Sequence, residues 1–347
     1  GECREGEAPA EPIFVVMVAM QKGNKPNYRD TQLVLNLLLV VLFTLITASL
    51  VTPLVIRLID HASILEGLRG YSGPKVFRRL LMVFFLIGVW IWRRRLVLPR
   101  IEEIGLIRHN AWRRHVLTGL LVGLIGLALV QGAALGLGYR VPEREREIGV
   151  GLVVQAVVNG ACTGLAVGIL EEIVFRGFLL HSLMRRTGRI FAIGLTSVVF
   201  ATLHFFRSGS IQVDRNSFFV GPLSAWDLLC GWWDNMQLFP DFAGLFLVSV
   251  VLCWSVLRSG DIYVAIGLHA GWVFVIQTGK DLFDTVREVS SLPFGGAQLY
   301  DGLVTIALLI AMIPFLHWCV RLGWIRRNAQ SQTTRRPIPS PPGRGLG

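Results

Sequence analysis

The sequence predicts an all-α polytopic membrane protein with about eight transmembrane helices. Of its 347 residues, 53% are hydrophobic and only 16% are charged, and the mean hydropathy is +0.56. This composition is too apolar for a soluble globular protein. Apolar runs of about twenty residues, the length that crosses a bilayer, recur along the chain. The net charge of +11 is concentrated in short segments between these runs and at the C-terminus.

Eight apolar runs are predicted to be transmembrane helices. The second is short and is interrupted by Arg93-Arg94-Arg95, and the sixth is barely long enough to span. Their predicted bounds are Leu33–Ile56, Leu80–Leu98, Val116–Gly138, Gly149–Leu180, Ile190–Phe206, Ala243–Leu257, Ile262–Thr278 and Leu303–Val320.

The runs divide the chain into five predicted segments. These are a flexible N-terminal extension (1–31), the first transmembrane helices (32–148), a core of transmembrane helices (149–279), the last loop and helix (280–321) and a disordered basic tail (322–347). The apolar run at 13–20 is too short to span and follows acidic residues, so it does not resemble a signal peptide. Because the chain does not begin with Met, Met17 and Met20 are candidates for the first natural residue.

The distribution of arginine predicts the orientation in the membrane, with both termini cytoplasmic. Basic segments follow the second and fourth helices and form the C-terminal tail, whereas the interhelical segments 207–242 and 280–301 are acidic or mixed. Lys75, Arg78 and Arg79 do not fit this pattern. No soluble basic domain carries the positive charge, so no nucleic-acid partner is expected. The five cysteines form no CxxC pair and no disulfide framework.

The predicted fourth helix carries three charges, Glu171, Glu172 and Arg176, after some twenty uncharged residues. Such groups are costly in a bilayer and usually mark a functional site. Glu172 and Arg176 lie four residues apart and can form an ion pair on one helix face. Glu171 lies about 100° around the helix from Glu172, with no partner at its own i+3 or i+4 position. Glu171 is therefore the candidate for acid–base catalysis, and a purely structural ion pair is the alternative.

Two of the seven histidines fall inside predicted helices near the depth of Glu171. His204 and Glu171 each lie about 21–22 Å from the basic turn between the fourth and fifth helices. His269 lies inside the seventh helix, about 16 Å from Arg258 by the same count. The other five histidines, His61, His109, His115, His181 and His317, fall in loops or near helix ends and are expected at the membrane interface.

Glu171, His204 and His269 together allow two kinds of hydrolysis. In the first, the carboxylate and one imidazole activate a water molecule, while the other imidazole binds the developing oxyanion. In the second, the two imidazoles and the carboxylate hold a catalytic zinc ion with an open position for water. The sequence contains no HExxH, GxSxG or GxGD motif, so the other common classes of intramembrane hydrolase are not indicated.

Glu171-Glu172-x-x-x-Arg176, Phe200-x-x-x-His204 and His269 resemble the three motifs of the CPBP intramembrane proteases. That family includes the type II CAAX prenyl endopeptidases, and the resemblance extends over about 149–277. It implies an eight-helix fold with an active-site cavity within the membrane. It also implies that Glu171 and His204 activate water without a metal cofactor, that Glu172 and Arg176 support the site, and that His269 helps to bind the oxyanion.

One position departs from the family pattern. The third motif usually places Asn or Asp four residues after its histidine, and here that residue is Val273.

We expect a membrane endopeptidase of the bacterial inner membrane that acts on a membrane-associated protein or peptide. Because bacteria generally lack CAAX prenylation, a prenylated substrate is not expected. Val273 favours an alternative, an inactive family member that serves as a membrane scaffold or peptide-immunity factor. A proton-coupled transporter is a third hypothesis, and no inverted repeat supports it.

Overall fold

The computed structural model describes residues 28–63, 69–92, 105–106, 109–142, 148–186, 188–205, 214–230, 238–286 and 292–325. Residues 1–27 of the predicted extension (1–31), the Arg93–Arg95 segment and residues 326–347 of the predicted tail (322–347) lie outside these residues. The first five helices are α1 (Tyr28–His61), α2 (Gly73–Trp92), α3 (Trp112–Gly136), α4 (Val150–Glu172) and α5 (His181–Arg186). The next five are α6 (Arg189–Phe205), α7 (Val220–Cys230), α8 (Ala243–Ser259), α9 (Tyr263–Leu282) and α10 (Leu303–Arg321).

Two π-helical segments and one small sheet complete the described fold. The π-helical segment Ile173–Leu180 joins α4 to α5 without a break, and Leu238–Phe242 leads into α8. Strands β1 (Arg140–Pro142) and β2 (Phe283–Thr285) pair antiparallel. The sheet follows directly after α3 and α9, so it joins the same end of these two helices.

The described residues form an integral membrane protein. Five helical segments are long and apolar enough to cross a bilayer, and the shorter Arg189–His204 is also apolar. The five are Leu39–His61, Trp112–Gly136, Val150–Met184, Pro240–Ser259 and Leu303–Arg321. On α1, Leu50, Leu54 and Leu58 are 63%, 59% and 60% exposed, forming an apolar stripe four residues apart that suits contact with lipid. The predicted class of all-α polytopic membrane protein is therefore confirmed.

Two local predictions are wrong. Helix α2 begins at Gly73 instead of Leu80, because Pro74 lies in the first helical turn, where a missing backbone N–H is tolerated. The segment 207–242, expected to be a loop, contains α7. A Cβ added at Gly221 of α7 would overlap the carbonyl oxygen of Ser49 on α1, so the two backbones are in direct contact. Eleven residues are too few to span a bilayer, and the apolar run of α7 was therefore not recognised.

Helix α9 lies between α3 and α4, and glycines allow both neighbours to approach its backbone. On α3, a Cβ at Gly119 would overlap the carbonyl oxygen of Val264. On α4, a Cβ at Gly164 would lie 2.6 Å from the carbonyl oxygen of Ala270. Ten consecutive residues of α9, from Tyr263 to Trp272, are buried as a result. Gly160, Gly164 and Gly168 lie four residues apart on α4, a spacing typical of close packing between helices, and a Cβ at each would meet the α9 residues.

We predict that Gly119→Ala lowers the thermal unfolding temperature in detergent, because the added methyl group meets the backbone of α9. Gly132→Ala is the matched control on the same helix, since a Cβ there has no neighbour within 4 Å. Alanine at position 132 should keep or slightly raise stability, because it favours a helix over glycine by about 0.5–1 kcal/mol. Equal unfolding temperatures for the two variants would contradict the packing of α3 on α9.

Candidate active site

The candidate site is assembled from four parts of the fold. Glu171 and Glu172 end α4, and Arg176 lies in the π-helical segment that follows. His204 is in the last turn of α6, and His269 is in the buried middle of α9. All five site residues predicted from the sequence are therefore brought to one place.

The Glu172 carboxylate holds two of these residues. Its Oε1 atom accepts a hydrogen bond from Nη1 of Arg176 at 2.9 Å and another from Nδ1 of His269 at 2.8 Å. The side chains of Glu172 and Arg176 have no solvent exposure. The ion pair expected from the four-residue spacing is thus present, and it also joins α4 to α9.

Arg176 continues the network to α8 and α6. Its Nη2 atom donates to Oγ of Ser249 at 3.0 Å and to the backbone oxygen of Ser249 at 3.3 Å. Its guanidinium carbon lies 4.7 Å from the centre of the Phe200 ring, within the range of a cation–π contact. The buried charge of Arg176 is therefore compensated by one carboxylate, one serine and one aromatic face.

The π-helical geometry of Ile173–Leu180 was not predicted. At its start, the backbone N–H of Ile173 still makes the i→i−4 bond to Ile169 and also contacts the carbonyl oxygen of Leu170. A π-helical turn is wider than an α-helical turn, and such turns are frequent at functional sites. Local sequence carries little signal for it, because the segment is apolar apart from Arg176.

Glu171 lies opposite the two imidazoles. Its Oε2 atom is 3.8 Å from Nε2 of His204 and 3.9 Å from Nε2 of His269, and the Glu171 side chain is 14% exposed. These separations are too long for direct hydrogen bonds, and the buried Oε2 of Glu171 has no hydrogen-bond partner among the described residues. The prediction that Glu171 and His204 lie at the same depth is confirmed.

Both imidazoles point Nε2 toward Glu171 because their Nδ1 atoms have other partners. Nδ1 of His204 lies 2.8 Å from the backbone oxygen of Phe200, which only accepts, so this nitrogen carries the proton. Nδ1 of His269 donates to Glu172 for the same reason. The two rings are thus oriented by bonds made outside the reacting region.

The formal charges of the two carboxylates and the guanidinium do not cancel. Glu171 and Glu172 contribute two negative charges, and Arg176 contributes one positive charge. His269 lies between the two carboxylates, because its Nδ1 contacts Glu172 at 2.8 Å and its Nε2 faces Glu171 at 3.9 Å.

A cavity of about 180 Å³ adjoins the two histidines. Most of its wall is apolar. Val273 lines it four residues after His269, so the position of the missing amide does face the cavity. Gln277 also lines the cavity, but its Nε2 atom donates to Oδ1 of Asp281 at 3.3 Å.

Sequence reasoning missed two contributors to the site. Ser249 supports Arg176 from α8, and the backbone oxygen of Phe200 orients His204. A single serine in an apolar helix is a weak signal, since most such hydroxyls bond within their own helix. Phe200 contributes partly through its backbone oxygen, and a hydrogen bond to a backbone atom cannot be inferred from the residue type.

Glu171, His204 and His269 are also the residues that could hold zinc. Ligand atoms around one tetrahedral zinc ion lie about 3.3–3.6 Å apart, given metal–ligand distances of 2.0–2.2 Å. The two separations from Glu171 are slightly longer, and the three ligand atoms do not all lie within 4.8 Å of one another. The donor types fit zinc, and the choice between water activation with and without a metal stays a prediction.

The fold and the site together define a polytopic membrane protein with a buried glutamate–histidine cluster. Residues 152–275 match the family described as type II CAAX prenyl endopeptidase Rce1-like. The match covers just over a third of the chain and includes every residue of the candidate site. The resemblance of this segment to the CPBP and CAAX protease-like family is therefore confirmed. No curated protein and no solved structure gives a significant match.

We predict that Arg176→Ala lowers both thermal stability in detergent and any activity of the protein. The change leaves Glu172 without its cation in a buried place, and breaking such a pair typically costs about 3–5 kcal/mol. Arg114→Ala is the control, because Arg114 makes its hydrogen bond to Gly323 at an exposed position. Loss of activity without any loss of stability would show that Arg176 has a direct chemical role.

Proposed function

We propose that this protein is an intramembrane endopeptidase that hydrolyses a peptide bond with water activated by Glu171 and His204. One observation carries the proposal. Oε2 of Glu171 faces the Nε2 atoms of both histidines at 3.8–3.9 Å, beside a largely apolar cavity. The match to the type II CAAX prenyl endopeptidase family supports the same reaction class.

In the proposed mechanism, a water molecule lies between Glu171 and His204. Its oxygen attacks the carbonyl carbon of the substrate, and one of its protons passes to the Glu171 carboxylate, with His204 holding the water in place. The tetrahedral intermediate carries a negative oxygen. Glu171 then returns the proton to the leaving nitrogen, the C–N bond breaks, and the products are a carboxylic acid and an amine.

His269 is proposed to bind the oxyanion as an imidazolium. Its Nδ1–H is held by Glu172, so its Nε2–H is directed toward the reacting region. A hydrogen-bond donor fixed before the reaction stabilises the developing charge without reorganisation. Glu172 and Arg176 act through His269 and are positioning residues in this scheme.

We also propose that the eight predicted helices, now α1–α4, α6 and α8–α10, surround an intramembrane cavity in a bacterial inner membrane. Both termini would be cytoplasmic, as the arginine distribution indicates. The cavity wall suits an apolar stretch of a membrane-associated protein or peptide. No prenyl group and no metal cofactor are required by this mechanism.

An inactive scaffold or peptide-immunity factor is the second candidate, and Val273 favours it. The described cavity lacks the amide that the family motif usually supplies beside His269, and Gln277 is already bonded to Asp281.

The hydroxyl of Thr305 also lines the cavity, is buried, and has no hydrogen-bond partner among the described residues. Thr305 is therefore the side chain best suited to replace the missing donor.

We predict that Glu171→Gln abolishes proteolysis while leaving the yield of folded, membrane-inserted protein unchanged. The amide keeps the size of the side chain but cannot accept the proton from water. The test compares new peptide termini in membranes of cells that express the wild type or the variant together with membrane peptides. Asp214→Asn is the control for a carboxylate-to-amide change at an exposed loop position. Cleavage at wild-type rates by Glu171→Gln would contradict the proposed base.

We predict that Val273→Asn raises the cleavage rate. One oxyanion donor is typically worth a factor of about 10²–10³ in turnover. The variant must remain folded, since a buried amide without a partner costs about 1–3 kcal/mol. Val248→Asn places the same amide elsewhere on the cavity wall and serves as the control.

Three outcomes separate the candidate functions. A stable Val273→Asn protein no faster than wild type would show that the site is complete without this donor. Thr305→Val would then be expected to slow cleavage, because it removes the substitute hydroxyl. A wild type without detectable cleavage, made active by Val273→Asn, would favour the inactive-scaffold alternative.

A further inference from the structure

A second cluster of histidines and a carboxylate lies outside the candidate active site. His109 precedes α3, His115 is in its first turn, and Asp261 lies in the turn between α8 and α9. Oδ2 of Asp261 is 3.0 Å from Nε2 of His109 and 2.6 Å from Nδ1 of His115. His115, which was expected at the membrane interface, is instead fully buried in the protein.

The side chain of Asp261 is fully enclosed by the protein. Its side chain and that of His115 have no solvent exposure, and the side chain of His109 is 15% exposed. Within the described residues, the ion-pair partners of Asp261 are these two histidines, with no lysine or arginine. If both imidazoles are neutral, the cluster carries one uncompensated negative charge, which is costly in a buried place.

The three ligand atoms converge on one point. Both nitrogens face the same oxygen of Asp261, while Oδ1 accepts the backbone N–H of Tyr263 at 3.0 Å. The three atoms all lie within 4.8 Å of one another, which no other group of three such side chains achieves in the described part of the chain. Two imidazoles and one monodentate carboxylate are ligand types that zinc prefers.

We propose that His109, His115 and Asp261 bind one zinc ion that fastens the segment before α3 to the turn between α8 and α9. The ion would replace the two N–H bonds to Asp261 and would compensate its charge. Ligands of one zinc ion lie about 3.3–3.6 Å apart, so both rings would move slightly outward from Oδ2. The partly exposed His109 provides the route of entry. This site is separate from the cluster around Glu171 and does not depend on the proposed protease activity.

The competing hypothesis is a metal-free cluster in which one histidine is an imidazolium. Nδ1 of His109 accepts the backbone N–H of Ala111 at 3.2 Å, so a second proton on His109 would face another donor. Zinc binding instead requires the proton of His109 to move to Nδ1 and this weak contact with Ala111 to open. The two hypotheses thus differ in metal content and in the response of stability to zinc.

The test measures zinc by mass spectrometry in detergent-purified protein prepared without chelator. We expect about one zinc ion per chain in the wild type and in His204→Ala, and at least a tenfold lower zinc content in Asp261→Asn. Chelation should lower the unfolding temperature of the wild type, and added zinc should restore it, because a ligand of the folded state stabilises it. The same treatment should leave Asp261→Asn unchanged.

If Asp261→Asn does not fold, His109→Ala replaces it, because its partly exposed ring is less important for packing. Binding of cobalt to the wild type, followed by its visible absorption, then gives a measurement that needs no variant of Asp261. Wild-type protein without zinc, and with an unfolding temperature insensitive to added zinc, would overturn the proposal in favour of the metal-free cluster. Zinc lost in His204→Ala but retained in His109→Ala would also overturn it, because the ion would then lie beside Glu171.

Discussion

The arrangement of the site depends on the buried carboxylate of Glu172, which one guanidinium and one imidazole share. This single oxygen joins the end of α4 to α9, and through Arg176 it reaches Ser249 on α8. The pair is costly to bury, so its geometry must be satisfied from several helices at once. The consequence is that His269 is held in one ring orientation, with Nε2 directed at Glu171. Two adjacent glutamates therefore have different surroundings, because Oε1 of Glu172 is bonded to Arg176 and His269, whereas Oε2 of Glu171 faces the Nε2 atoms of the two histidines.

Backbone packing sets the depth at which these groups meet. Helix α9 has α3 on one side and α4 on the other, and glycines bring the backbones into direct contact at both interfaces. Such contacts leave little freedom for one helix to slide along another. A shift would bring a larger residue to the place of a glycine, and its side chain would collide with the neighbouring backbone. The position of His269 relative to Glu171 is thus fixed by the small residues of three helices. The cavity lies beside α9. Larger side chains line it, such as Val273 of α9 and Leu309 of α10.

Helix α9 and the turn before it contain two buried charge clusters that are balanced in different ways. Around His269, the carboxylates are compensated by Arg176 and, as we propose, by an imidazolium. Around Asp261, the described residues offer only imidazoles, and we propose that a zinc ion supplies the positive charge. The two clusters hold different parts of the segment that carries His269. Any zinc found in the protein must therefore be assigned to one cluster before it is connected with catalysis.

The sequence by itself determined the class, most helices and five residues of the candidate site. Apolar runs long enough to cross a bilayer indicate a membrane protein, and charged residues among them usually mark a functional site. Spacing and motif alone were therefore enough to select Glu171, Glu172, Arg176, His204 and His269. Only the tertiary structure decided how they meet. The π-helical segment, the support from Ser249 and the orientation of His204 by a backbone oxygen arise from contacts that residue patterns do not encode. The same holds for α7, too short to be recognised as a span, and for Asp261, whose histidine partners lie about 150 residues earlier in the chain.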